Sequence, residues 1–168
     1  MNLENFENIV AQIHSHFGED WLEELYPDAI QAYAKIKPEF LLPLCRFLLE
    51  NENCYFDLLN AITAIDNGPQ NGQLELWYHL TSIPLEQSFI LMLSVPRGDD
   101  ENLPEVDSVS SVWKTADWHE REAYDLMGVK FTDHPDLRRI LLPADWKGHP
   151  LRKDYQDQTA YHGIKIKY

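Results

Sequence analysis

The sequence is poor in the residues that most often carry cofactor or nucleotide chemistry. Two of its 168 residues are cysteine, Cys45 and Cys54, with eight residues between them and apolar neighbours. Structural zinc and iron–sulfur sites normally draw on four ligands that include a close Cys-x-x-Cys pair. The two thiols therefore read as buried side chains in a reducing compartment, with no disulfide framework and no cofactor in this chain. Seven glycines leave few places where backbone could close on a phosphate. There is no Gly-rich loop followed by Lys-Ser/Thr, no three-glycine dinucleotide fingerprint and no Gly-x-Ser-x-Gly elbow. His119-Glu120-Arg121-Glu122-Ala123 begins as a zinc-protease helix does, but alanine stands where the second histidine belongs. No run approaches the roughly 18 consecutive apolar residues of a bilayer span, and residues 1–17 carry acidic side chains and no apolar block, so neither a signal nor a transit peptide is expected. The expectation is a soluble, intracellular protein that meets a membrane only through a partner.

Basic charge is also scarce, with 14 Lys and Arg against 28 Asp and Glu, a net charge of −14. An evenly spread charge of that size would repel nucleic acid and anionic membranes. It is not evenly spread: residues 1–116 hold 19 acidic and 5 basic side chains, whereas residues 117–155 hold 8 and 7. Half of the cationic side chains thus fall in one short segment, while the body before it is strongly acidic.

With 44% hydrophobic and 25% charged residues the composition is globular, and the length suits one domain. Leu3, Phe6, Val10, Ile13 and Phe17 recur at helical spacing before Gly18, and Glu19–Tyr26 continues the acidic, amphipathic character. Ala29–Ile36 reads as a strand. Pro38 then suits the first turn of a second helix with Leu41, Cys45 and Leu48 on one stripe. Three further strands follow, over Tyr55–Ile65, Leu74–Leu80 and Phe89–Val95, the last two joined closely enough for an antiparallel hairpin. Asp117 and Glu120 resemble a capping box that opens a charged helix, Trp118–Met127, and Gly128 sits where its C-cap belongs. Beyond it, Pro135, Pro143 and Pro150 forbid a continuous helix. The predicted architecture is α+β: N-terminal helices, a mixed or antiparallel sheet of about four strands with packed helices, and an extended C-terminal arm. Residues 1–128 form the domain and 129–168 the arm.

Three functional readings compete for the charged helix and the arm. Glu120 and Glu122 could serve as an acid/base pair, but residues two apart on a helix diverge and cannot readily flank one bond. A merely solvated helix face accounts for the charges but not for the arm. The third reading is a partner interface made of residues 120–125 and 134–155. Arg138, Arg139, Arg152 and Lys153 are its charged anchors and Trp146 and Tyr155 its aromatic ones, residue types that often carry binding energy. Glu120, Arg121, Glu122, Tyr124 and Asp125 on the helix, with His134, Pro135, His149, Pro150 and Asp154 on the arm, complete it.

The same residues carry a resemblance. Glu120-Arg121-Glu122-Ala123-Tyr124-Asp125-Leu126-Met127-Gly128-Val129, His134-Pro135-Asp136-Leu137-Arg138-Arg139-Ile140-Leu141 and Asp145-Trp146-Lys147-Gly148-His149-Pro150-Leu151-Arg152-Lys153-Asp154-Tyr155 resemble the hallmark of the 30 kDa subunit family of respiratory complex I. In length and flavour the chain is most similar to subunit J of the cyanobacterial and plastid type-I NAD(P)H dehydrogenase. Bacterial 30 kDa subunits of similar size are the alternative. The resemblance implies a cofactor-free structural subunit of the hydrophilic arm of a quinone-reducing, proton-pumping complex. It would pack against the large quinone-site (49 kDa-type) subunit and near the subunits that carry iron–sulfur clusters. In the phototroph form reduced ferredoxin or NAD(P)H would be the donor, plastoquinone the acceptor and the thylakoid membrane the location; in the bacterial form the location is the cytoplasmic side of the plasma membrane.

Overall fold

The computed structural model describes residues 3–166. Helix α1 (Leu3–Phe17) buries Phe6, Ile9, Val10 and Ile13, the stripe that the spacing predicts, and Gly18 ends it in a left-handed conformation. Glu19–Tyr26 does not continue a helix. Its second half is strand β1 (Leu22–Tyr26), which pairs antiparallel with β2 (Tyr33–Ile36) through a bulge after Leu22. The bulge lets Leu22 and Leu25 both reach the core, and that irregularity hides the alternation a strand reading needs. The first residues of the expected strand at Ala29–Ile36 instead form a turn with Ile30 fully exposed. Pro38 opens a 3₁₀ turn that leads into α2 (Leu41–Glu50), which buries Leu41, Leu44, Cys45 and Leu48.

Strands β3 (Leu58–Asp66), β4 (Gln73–Ser82) and β5 (Gln87–Pro96) form an antiparallel meander. Strand order is β1-β2-β5-β4-β3, with β2 and β5 parallel. The sheet is therefore mixed and has five strands, one more than expected because β1 belongs to it. In β4 the alternation is complete: Leu74, Leu76, Tyr78 and Leu80 are buried, and Glu75, Trp77 and His79 face the other way. The inward face meets Phe6 and Phe56 through Phe89, at ring separations of 5.5 and 6.1 Å.

Beyond the sheet, β6 (Glu105–Asp107) and β7 (Lys130–Thr132) pair in parallel on either side of α3 (Ala116–Met127). Val129 and Phe131 are core residues, so the segment read as the start of the arm lies within the domain. Residues 133–159 carry no regular element, and a small hairpin, β8 (Ala160–Tyr161) with β9 (Ile164–Lys165), follows. Among the described residues no helix is long and apolar enough to cross a membrane.

The Tyr78 hydroxyl is buried in the core with no hydrogen-bond partner among the described residues, an arrangement that costs desolvation without return. Tyr78→Phe should leave stability unchanged or raise it by up to about 1 kcal/mol, measured as a chemical-denaturation midpoint. A loss larger than that would show that the hydroxyl is bonded.

Candidate interaction site

Helix α3 carries two fully buried carboxylates, Glu120 and Asp125. Asp125 is turned toward the arm. Its Oδ1 accepts from Arg139 Nη1 at 2.7 Å, and its Oδ2 accepts three consecutive backbone N–H groups, those of Ile140, Leu141 and Leu142, at 3.0, 2.7 and 2.9 Å. Burial alone would raise its pKa, but these bonds outweigh burial and hold it below the ordinary carboxylate range. The nest is needed because Asp125 lies in the last turn of α3, where the helix dipole disfavours negative charge.

The arm also completes the helix end. The last four carbonyls of a helix have no partner within it. Here Tyr124 O accepts from Gly128 N, and Asp125 O accepts from Arg139 Nη1 and His149 Nδ1. Leu126 O accepts from Leu151 N, and Met127 O from Arg152 Nε. Gly128 is the left-handed C-cap that the sequence predicts, with φ 69°. A Cβ there would stand 2.5 Å from the His149 ring, so glycine is required by space as well as by conformation. The capping box is not formed: Thr115 is the N-cap, and Glu120 turns inward to accept from Ser108 Oγ at 2.6 Å and Val109 N at 2.7 Å. His134 lies beside it, its Nε2 3.8 Å from Glu120 Oε2 and 3.2 Å from the Asp117 carbonyl, and its Nδ1 accepts the Asp136 N–H. Burial pushes the Glu120 carboxyl up to about 7.

A third buried carboxylate ties the arm to the sheet. Asp66 at the end of β3 accepts from Arg97 Nε and Nη2, from Gly68 N and from Lys153 N. Burial would raise its pKa, but Arg97 and the backbone donors hold it down to about 2. Arg97 also bonds Asp154.

The interface residues named from sequence thus divide. Arg152, read as a charged anchor for a neighbour, is 7% exposed and donates to the carbonyls of Arg97, Gly98, Met127 and Gly128. Arg139, His149, Asp125 and Glu120 are likewise committed within the chain, because each buried polar atom must find a partner at home. Trp146 and Tyr155 bond each other, Nε1 to hydroxyl at 3.1 Å. Arg121 lies over the Trp118 ring and donates to the Arg138 carbonyl. Tyr124 and Pro150 are half-buried, while Glu122, Pro135, Arg138, Lys153 and Asp154 face outward. Trp118 of α3 points to solvent at 64% exposure, and Leu141 and Leu151 are exposed beside the pinned backbone. Sequence reasoning does not bring Asp66, Arg97 and Ser108 into the site. Asp66-Asn67-Gly68 carries only a turn signal, and pairing across 87 residues leaves no local pattern.

The family model described as respiratory-chain NADH dehydrogenase, 30 Kd subunit, matches residues 34–161. The chain belongs to this family. The match takes in β3, β4 and β5, all but the first residue of β2, α3 and the pinned arm, while β1 lies before it. Among relatives, the NADH-quinone oxidoreductase C subunit of Geobacter sulfurreducens is 45% identical over 130 residues, 74% of this chain and 76% of that protein. Its counterpart from Chloroherpeton thalassium is 43% identical over 73% of this chain, which corresponds to 49% of the longer relative. In three dimensions, a chain of the membrane-bound sulfane sulfur reductase, an archaeal respiratory membrane complex, superimposes with a TM-score of 0.73 and 25% identity, covering 89% of this chain and 85% of that one. Members of this family are subunits of complex I, and association with other subunits of such a complex follows from membership.

Two substitutions test the pinning. Asp125→Asn should destabilise the chain by about 3 kcal/mol, since it leaves the half-buried Arg139 without its counter-charge and one N–H group facing another donor; equilibrium denaturation measures it. For Glu120, the folded carboxyl keeps its proton to about 7 and the unfolded one releases it near the ordinary 4.5. The folded state binds more protons between those values, so this group's contribution falls as pH rises through the window. Glu120→Gln should remove that slope while leaving unchanged the loss of stability between about pH 4 and about 2, where Asp66 is protonated in the unfolded chain but still ionised in the folded one.

Proposed function

We propose that this chain is a cofactor-free structural subunit of the peripheral arm of a bacterial NADH-quinone oxidoreductase, on the cytoplasmic side of the plasma membrane. It supports electron transfer to quinone by holding the large quinone-site subunit against the subunits that carry iron–sulfur clusters. The observation that carries this reading is the family match across 34–161, joined to an arm whose backbone is fixed by buried carboxylates while Arg138, Leu141, Leu151 and Lys153 stay exposed. A surface ordered before contact loses little entropy on docking. The relatives above carry the name NADH-quinone oxidoreductase, which favours the respiratory form over the ferredoxin- and plastoquinone-linked form suggested by chain length. The acid/base reading of Glu120 and Glu122 loses support because Glu120 is sealed inside and Glu122 points to solvent.

In cells, a tagged chain carrying Arg138→Glu, Leu141→Asp and Leu151→Asp should keep the melting temperature of the parent yet be recovered with the complex from mild detergent extracts at least tenfold less. Normal recovery would sink the assignment of the arm as the contact.

A further inference from the structure

One face of the five-stranded sheet is turned away from α1 and α2, and no described helix packs on it. Glu75, Trp77 and His79 of β4 point to it and remain half-buried; Thr63 and Ile65 of β3, their neighbours in register, are exposed. A row of rings crosses this face. Tyr26 and Tyr33 stack with centroids 4.4 Å apart and planes 10° apart, and Tyr33 meets Trp77 at 4.7 Å. Because β5 lies between β2 and β4, the Tyr33 and Trp77 rings reach over it, and Met92, the register partner of Trp77, is buried although it faces outward.

Carboxylates border the rings. Glu24 accepts from the Tyr26 hydroxyl, and Glu75 accepts from Trp77 Nε1 at 3.1 Å and Asn67 Nδ2 at 2.8 Å. Glu23 is paired with Lys35 at 2.8 Å, whereas neither Glu24 nor Glu75 forms an ion pair among the described residues. Lys35, the register partner of Glu24, also interacts with Glu24 and Glu75, so three carboxylates share one cation and the border stays net negative. Aromatic faces flanked by such an excess of carboxylate attract a guanidinium through both the ring quadrupole and charge. The acidic body around them, 19 acidic against 5 basic side chains over residues 1–116, favours a cationic partner and disfavours an anionic membrane.

We propose that this ring row is a second docking face, which takes an arginine-bearing segment of a neighbouring subunit with its guanidinium on Tyr33 and Trp77 and Glu24 or Glu75 as counter-ion. The proposal rests on the reading of the chain as a subunit of a larger complex. It is independent of the arm.

The test uses a photo-crosslinking residue placed at Thr63 or Ile65, or at Leu141 on the arm, in a tagged chain recovered within the assembled complex. Expected is a cross-link from positions 63 and 65 to another subunit, within a few residues of an arginine. Combining Glu24→Lys with Glu75→Lys should lower its yield at least fivefold while the product from 141 persists. The double variant is first shown to melt as the parent does; if it does not, Glu24→Gln with Tyr33→Leu replaces it and the same loss is required. A recovered chain with no product from 63 or 65, a product joining two copies of this chain, or a yield indifferent to the substitutions overturns the docking face alone. A chain absent from the complex overturns the subunit reading and this proposal with it.

Discussion

Asp125 accepts the N–H groups of three successive residues through one oxygen and a guanidinium through the other, and the course of the arm follows from that bond set. A buried carboxylate must be neutralised or hydrogen-bonded throughout. Supplying three consecutive backbone donors to one oxygen requires residues 140–142 to curl around it. Once they are placed, Arg139 and His149 reach the helix end, Arg152 closes over Gly128, and Lys153 N meets Asp66 at the end of β3. Helix, arm and sheet are joined by polar bonds where a purely apolar contact would allow sliding.

The charge segregation along the chain has its origin here. The arginines concentrated after residue 116 are divided between two tasks. Arg139 and Arg152 are consumed in satisfying α3, with Arg152 surrounded by carbonyl oxygens and burial lowering its pKa. Arg138 remains outside. A near-neutral arm can lie on a body of high negative charge without repulsion, and the body keeps its acidic surface for other contacts.

Elements with intact periodicity are legible from sequence. The stripes of α1 and α2, the alternation of β4 and the Gly128 cap each rest on short-range spacing, whereas β5, expected to alternate, buries Phe89 through Leu93 without a break because side chains cover it on both faces. The bulged β1 is not legible, because its bulge breaks the two-residue period. Glu120 misleads for a related reason. Its spacing from Asp117 imitates a capping box, and only the tertiary position of Ser108 and Val109 shows where the carboxylate goes. The arm stands out in the sequence as the distinctive segment, but composition cannot distinguish arginines that serve a neighbour from arginines that serve the chain's own carbonyls. That distinction lies in contacts such as Arg152 with Arg97 O, 55 residues apart.

The parallel pairing of β2 with β5 sets Ala34 beside Leu91. Strands β3, β4 and β5 can assemble from near-neighbour contacts, but the N-terminal hairpin has no seat until β5 exists. During synthesis from the N-terminus, β1, β2 and their aromatic side chains must therefore wait while the chain between Ile36 and β5 is added, roughly 3 to 10 s at ordinary elongation rates. Over that interval the nascent chain shows Tyr26 and Tyr33 without the rest of their sheet, and its strong negative charge is what keeps such an incomplete edge from finding another.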